Sequence, residues 1–217
     1  LQPQMPSIVS GRLVGDPATL AKVNAGQVRL MMQPFSPQVM PGPPQPPQPL
    51  GADLTFSIQA MPGKAVIRPL ALPGAVIKSV RVDGQDVTRG IDVPAGGAIA
   101  NVEVEVTASM AKLVVSASNG RGAAAPDHDV VIFPQDENQW GVPLPGHGST
   151  GRTNEEGTFE AANLLAGAYY VALADDIQID IGDSNDPEIL AMLRSRAQRV
   201  SVGEGETATV QLRASER

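Results

Sequence analysis

Cysteine is missing from this 217-residue chain, so disulfides, thiolate metal sites and a cysteine nucleophile are all excluded. Aromatic residues are scarce at 3%, and there are 2 histidines. No apolar run approaches the roughly 20 residues that a membrane-spanning helix needs. The chain opens LQPQMPSIVS, with no positively charged leader ahead of an apolar stretch, so any signal peptide is expected to be already gone. A start at Leu1 rather than Met fits a processed chain or a fragment. The net charge of -7 argues against a surface that tracks phosphates, and no nucleic-acid partner is expected.

Glycine and proline are abundant, at 22 and 20, beside 42% hydrophobic and 18% charged residues. That mixture suits many short strands joined by tight turns better than a helical bundle. Charge is unevenly placed: 8 basic against 7 acidic residues (+1) through Ala108, then 8 against 16 (-8) from Ser109 on, which together give -7. The break divides the chain into modules 1–108 and 109–217.

In the first module, residues 7–14 form a strand anchored by Ile8 and Leu13, with Gly11 as a bulge. Residues 27–32 follow, with Val28, Leu30 and Met32 on one face. Prolines make up 8 of the 16 residues in 34–49, which predicts a stiff polyproline-like loop. Leu54, Phe56 and Ile58 alternate inward, and Met61-Pro-Gly63 turns the chain. Residues 75–82 run into Asp83-Gly84, a strong hairpin signal, and Val102, Val104 and Val106 alternate with polar residues. Roughly seven strands with turns between them read as a β-sandwich.

The second module repeats the plan. Residues 113–117, 130–133 and 207–212 are strands, and 135–151 is a long loop carrying Trp140 and His147. NEEGTFEAANLLAGAYYVALAD (154–175) reads as a β-hairpin-like unit, with Tyr169 and Tyr170 on opposite faces, one in the core and one exposed. The spacing predicts a helix over about 187–198, headed by Asp186 as N-cap and Pro187 at the first position. Ile189, Leu190, Leu193 and Ala197 make its apolar stripe. The fold class is therefore all-β: two tandem Ig-like or transthyretin-like sandwiches, the second with one short helix.

The order of opening strand, VVIFPQDENQW, NEEGTF, LLAGAYYVALAD, a DPEIL-headed helix and RVSVGEGETATVQLR resembles the bacterial carboxypeptidase regulatory-like repeats, of transthyretin-like, carbohydrate-binding-like fold. The first half is similar to the module that often precedes them, through SGRLVG, LTFSIQAMPGKAVI and VIKSVRVDGQDVTRGIDV. It departs by its proline-rich insertion and by LGADLTF, where the family usually has an Asp-Gly turn. The resemblance implies an exported bacterial protein, extracellular, at the cell surface or periplasmic, and implies a fold rather than a reaction.

Chemistry is sparse. A Ser-His-carboxylate triad or zinc pair needs histidines in the right company; His128 and His147 read as exposed loop residues, and no catalytic centre is expected. Asp175, Asp176, Asp180, Asp183, Asp186 and Glu188 crowd one stretch. Asp180, Asp183 and Asp186 are a weak candidate calcium loop that lacks the ordered alternation of an EF-hand, so no cofactor is expected ahead of a solvated loop and helix cap. Trp140 and Tyr170 are the candidates for stacking on a sugar, against burial at the sandwich edge. Two readings follow: a self-associating structural or interaction protein, with itself or a neighbouring envelope protein as partner, or a carbohydrate- or peptide-binding accessory module of a larger secreted protein. Residues 1–11 carry little charge and are a candidate to add a strand to a neighbour.

Overall fold

The computed structural model describes residues 5–35, 48–142, 144–174 and 185–214. The fold is all-β, and the chain divides into two units, Leu1–Ala108 and Ser109–Arg217. Among the described residues no helix is long and apolar enough to cross a membrane.

The first unit runs β1 (Ser7–Val14), α1 (Pro17–Leu20), β2 (Arg29–Pro34), β3 (Gln48–Pro49), β4 (Thr55–Ala60), β5 (Gly63–Ala71), β6 (Val76–Val82), β7 (Gln85–Asp86), β8 (Ile91–Val93) and β9 (Gly97–Thr107). One sheet has the order β4-β1-β9-β6-β7, the other β3-β2-β5-β8. Period-two alternation drives the pairing: Phe56, Ile58 and Ala60 from β4, with Val102, Val104 and Val106 from β9, meet Leu30, Ile67 and Ile91 from the facing sheet in one core. The two outermost strands of the chain segment close the unit, because β1 pairs parallel with β9.

Gly11 marks the expected bulge. The β1–β9 register shifts between Val9 and Gly11, and a Cβ at Gly11 would stand 1.9 Å from the Val102 carbonyl oxygen. Val9, not Ile8, faces the core as partner to Leu13, and Ile8 is exposed; the inward positions are the odd ones. The Asp83-Gly84 turn has φ of 49° and 83°, the left-handed pair that a two-residue hairpin requires. At LGADLTF the chain makes a different tight turn, in which Leu54 adopts φ 64° and the Gly51 amide donates to the Thr55 carbonyl at 2.7 Å. The one-turn α1, not expected from the sequence, is capped by Asp16, whose Oδ1 accepts from the Thr19 amide at 2.9 Å. Among the described residues nine strands form where about seven were expected, and the two-residue β3, in the proline-rich stretch, was not among them. Of the proline-rich stretch, Pro34, Gln48 and Pro49 are strand residues, and 36–47 lies outside the described residues.

The second unit runs β10 (Ala111–Ser118), β11 (Asp129–Pro134), a 3₁₀ turn (Glu137–Gln139), β12 (Ser149–Arg152), β13 (Thr158–Leu164), β14 (Gly167–Leu173), α2 (Pro187–Arg194), β15 (Gln198–Val202) and β16 (Thr207–Arg213). Its sheets are β13-β10-β16 and β12-β11-β14-β15. The plan of the first unit recurs: the opening strand β10 lies between an antiparallel neighbour, β13, and the closing strand β16, to which it is parallel.

Three expectations are corrected here. The two strands of 154–175 are not a hairpin. β13 pairs with β10 and β14 with β11 and β15, in different sheets, so the chain arches across the sandwich at Leu165-Ala166. A two-residue hairpin needs positive φ in its turn; here the left-handed residue is Asn163, at φ 63° inside β13. The helix ends at Arg194, with Ser195 as its C-cap, because Gln198 onward pairs with β14. The loop 135–151 contains the 3₁₀ turn and yields β12 at its end.

Candidate functional site

The outer face of the second unit's β12-β11-β14-β15 sheet gathers three of the residues singled out in the sequence. β11 and β14 supply Val131, Phe133, Tyr170 and Ala172, which form a second core with Trp140, Leu190 and Leu193. Both faces of β14 are therefore covered, Tyr169 and Val171 lying in the main core on the other side. Tyr169 at 3% and Tyr170 at 6% exposure are both buried, against the expectation that one would be exposed. The missing signal was that α2, more than ten residues downstream, returns to cap that face.

Trp140 follows the 3₁₀ turn. Asp136 starts that turn by accepting from the Asn138 amide at 3.0 Å. The indole then folds onto Phe133, edge to face at 5.8 Å and 66°, and its Nε1 donates to the Pro134 carbonyl at 2.8 Å. Tyr170 stacks obliquely on Phe133 at 5.4 Å, and the Arg199 guanidinium lies 5.7 Å from the Tyr170 ring centre. Trp140 is 6% exposed, so neither Trp140 nor Tyr170 offers a ring face for stacking a sugar. Of the two readings open for these candidates, sugar stacking and burial at the sandwich edge, burial is what the structure shows.

Asp186 joins this assembly as a cap. Its Oδ1 accepts from the Glu188 amide at 2.8 Å, with the Ile189 amide at 3.4 Å, and the Gly141 amide next to Trp140 donates to the Asn185 carbonyl at 2.8 Å. Arg194 at the far end of α2 pairs with Glu137 of the 3₁₀ turn. Asp180 and Asp183, the rest of the candidate calcium loop, lie outside the described residues. Among the described residues no group of three or more His, Asp or Glu side chains is placed to hold a metal ion.

Neither histidine is an exposed loop residue; both are half-buried. His147 is the more confined. Its Nδ1 lies 3.0 Å from Gln139 Oε1, and its Nε2 is buried without a hydrogen-bond partner among the described residues. Burial holds its pKa below the ordinary imidazole value. The neighbouring Gly146 carbonyl accepts from the Leu165 amide at 2.8 Å. The Tyr169 hydroxyl reaches the Leu165 carbonyl at 2.7 Å, with the Gly146 carbonyl at 3.2 Å. Desolvation raises the Tyr169 pKa to about 12. His147 is thus packed into the arch between the sheets. His128 sits by the Arg152 ion pairs with Asp127 and Asp129, at 2.7 and 2.8 Å, and its amide donates to Thr153 Oγ1.

No protein-family model matches this chain, and no curated protein matches it. Among solved structures it is similar to the minor pilin of Streptococcus agalactiae at 10% identity and TM-score 0.41, over 97% of this chain and 96% of that one. A streptococcal ancillary pilin aligns at 11% identity and TM-score 0.41, over 98% of this chain. The Bacillus anthracis TIE protein aligns at 11% identity and TM-score 0.34, again over 98% of this chain. The chain spans 63% of the ancillary pilin and 35% of the TIE protein.

The residues that sequence reasoning proposed for binding thus converge, but as the interior of a helix-covered sheet face. What it missed lies at the opposite sheet of the same unit. β16 is a terminal strand whose outward positions are Thr207, Thr209, Gln211 and Arg213, all exposed. The sequence marked 207–212 as a strand; that the strand would also end its sheet was not legible there.

Proposed function

We propose that this chain is a non-catalytic structural subunit of the bacterial cell envelope or surface, acting by self-association of its β-sandwich units, the second of them a carboxypeptidase regulatory-like module. The observation that carries this reading is that, among the described residues, the side chains singled out for chemistry are engaged in the fold. Trp140 and Tyr170 form a core, Asp186 caps α2, and His147 is packed beneath the arch by Gln139. Among the described residues, terminal strands end their sheets and offer backbone edges that are templates for another chain. Light scattering with negative-stain microscopy of the intact chain tests the reading. Oligomers or ordered polymers that grow with concentration are expected; a monomer at every concentration overturns it.

Of the accessory-module alternative, carbohydrate or peptide binding, the burial of Trp140 and Tyr170 weighs against sugar stacking on these two rings and leaves peptide binding untouched.

A further inference from the structure

The terminal strands of the second unit's sheets are β12, β13, β15 and β16. β12 has four residues and β15 has five. β13 has seven, but its register with β10 slips between Ala111 and Leu113 and Asn163 turns left-handed. β16 has seven residues, no proline, and an unbroken register with β10 from Lys112↔Thr207 to Ser118↔Arg213. Natural edges are commonly blunted by brevity, bulges, proline or inward charge. β16 carries none of these devices.

Its hydrogen-bonding sides can be assigned. The Lys112 amide donates to the Glu206 carbonyl at 2.9 Å, and the Ala214 amide to the Ser118 carbonyl at 2.9 Å. In a parallel ladder the bonded residues then alternate, so Ala208, Val210 and Leu212 serve β10. Thr207, Thr209, Gln211 and Arg213 turn their N–H and C=O groups to the free edge. Among the described residues no strand lies beyond it.

The first unit has a strand in the matching place. There the closing strand β9, parallel to the opening strand β1, carries β6 on its far side in antiparallel register, Val80↔Val104 and Val82↔Val102. The strand that suits the edge of β16 is by this precedent antiparallel.

We propose that β16 pairs with β16 of a second copy of this chain, antiparallel about a twofold axis at Val210, joining two three-stranded sheets into one of six. This rests on the self-association reading above and names its surface. The register is self-complementary: Thr209 faces Gln211 of the second copy, and Thr207 faces Arg213 of the second copy, each pair able to exchange two backbone hydrogen bonds. Arg213 is the one charge in the strand, and the two copies of it stand about 20 Å apart at opposite ends. β16 is thus a stretch without acidic residues in a half-chain that carries 16 of them against 8 basic ones, where two copies meet without like charges opposed. Such a pair closes on itself, so a polymer needs one more contact elsewhere.

The test is sedimentation equilibrium of the intact chain with paired charge variants at the facing positions. Thr209→Lys with Gln211→Lys places lysine opposite lysine and is expected to weaken dimerisation about tenfold or more. Thr209→Lys with Gln211→Glu places lysine opposite glutamate and is expected to restore dimerisation to at least the wild-type constant. A third variant, Thr209→Pro, removes an outward N–H without touching the ladder to β10 and is expected to abolish the dimer. Trp140 fluorescence reports whether it has folded, and if it has not, the charge pairs decide alone. A chain that dimerises equally in all the folded variants overturns the β16 pairing and leaves self-association through another surface. A chain that is monomeric throughout overturns both.

Discussion

Trp140 stands edge-on to Phe133, with its indole N–H on the Pro134 carbonyl, so one residue of the 3₁₀ loop is locked to two consecutive residues of β11. The contact explains why β11 is buried along nearly its whole length rather than on alternate residues. One face belongs to the sandwich core, the other to a layer built from the 3₁₀ loop and α2. That layer gives the second unit three tiers where the sequence promised two.

Trp140→Ala should therefore destabilise the second unit by about 3–5 kcal/mol, as expected for emptying a large aromatic site. Trp140→Phe should cost less, since it keeps the ring contact and loses the bond to Pro134. Chemical denaturation followed by circular dichroism measures both. An alanine variant as stable as wild type would show that the indole is not part of the core.

Gly11→Ala should destabilise the first unit although Gly11 has no unusual φ. The added methyl would meet the Val102 carbonyl at 1.9 Å, which is backbone in the centre of the sheet, and relief requires the β1–β9 ladder to part. A loss of about 2 kcal/mol or more is expected. Gly84→Asn is the contrast: its φ is 83° with nothing within 4 Å of the new Cβ, and asparagine tolerates the left-handed region, so a change under about 1 kcal/mol is expected. Thermal melts of the two variants, compared with wild type, decide the matter.

Much of this was legible because local rules suffice for it. Alternation fixed the inward faces of β4 and β9, the Asp83-Gly84 pair fixed its turn, and the Asp186-Pro187 head fixed where α2 starts. The rest depends on contacts between distant segments. One of Tyr169 and Tyr170 was expected to face solvent, but α2 covers the face that carries Tyr170. Residues 158–173 looked like a hairpin because two strands flank a short turn, and only pairing with β10 and β11 separates them into two sheets. The end of α2 was misread for the same reason: Gln198 has helical company in the sequence but a strand partner, Val171, in space.

Asp186 separates capping from charge. Asp186→Ala leaves the Glu188 and Ile189 amides without their acceptor and should cost about 1 kcal/mol. Asp186→Asn keeps a good cap and should cost at most a few tenths of that, because asparagine and aspartate cap about equally. Urea denaturation with Trp140 fluorescence reads both, since Trp140 packs with Leu190 and Leu193 of the same helix. Equal losses in the two variants would mean that the carboxylate charge, rather than the cap, holds α2 in place.

His147 should make the second unit weaken in mild acid. Its Nδ1 is engaged with Gln139, its Nε2 is buried with no hydrogen-bond partner among the described residues, and burial lowers its pKa from the ordinary imidazole value. The folded state therefore binds fewer protons than the unfolded chain in the window below that value. Stability rises with pH wherever the unfolded state holds more protons. The contribution of His147 is accordingly present in full above the unfolded pKa, falls as pH drops below it, and levels off once pH passes the lowered folded pKa. His147→Gln removes that titration while keeping a polar group of similar reach. The difference in urea midpoint between wild type and this variant, followed by Trp140 fluorescence from about pH 8 to about pH 5, isolates the effect from the titrating carboxylates that both proteins share. Wild type should lose ground to the variant as pH falls. A difference that stays constant across the range would mean that the imidazole finds an acceptor when protonated.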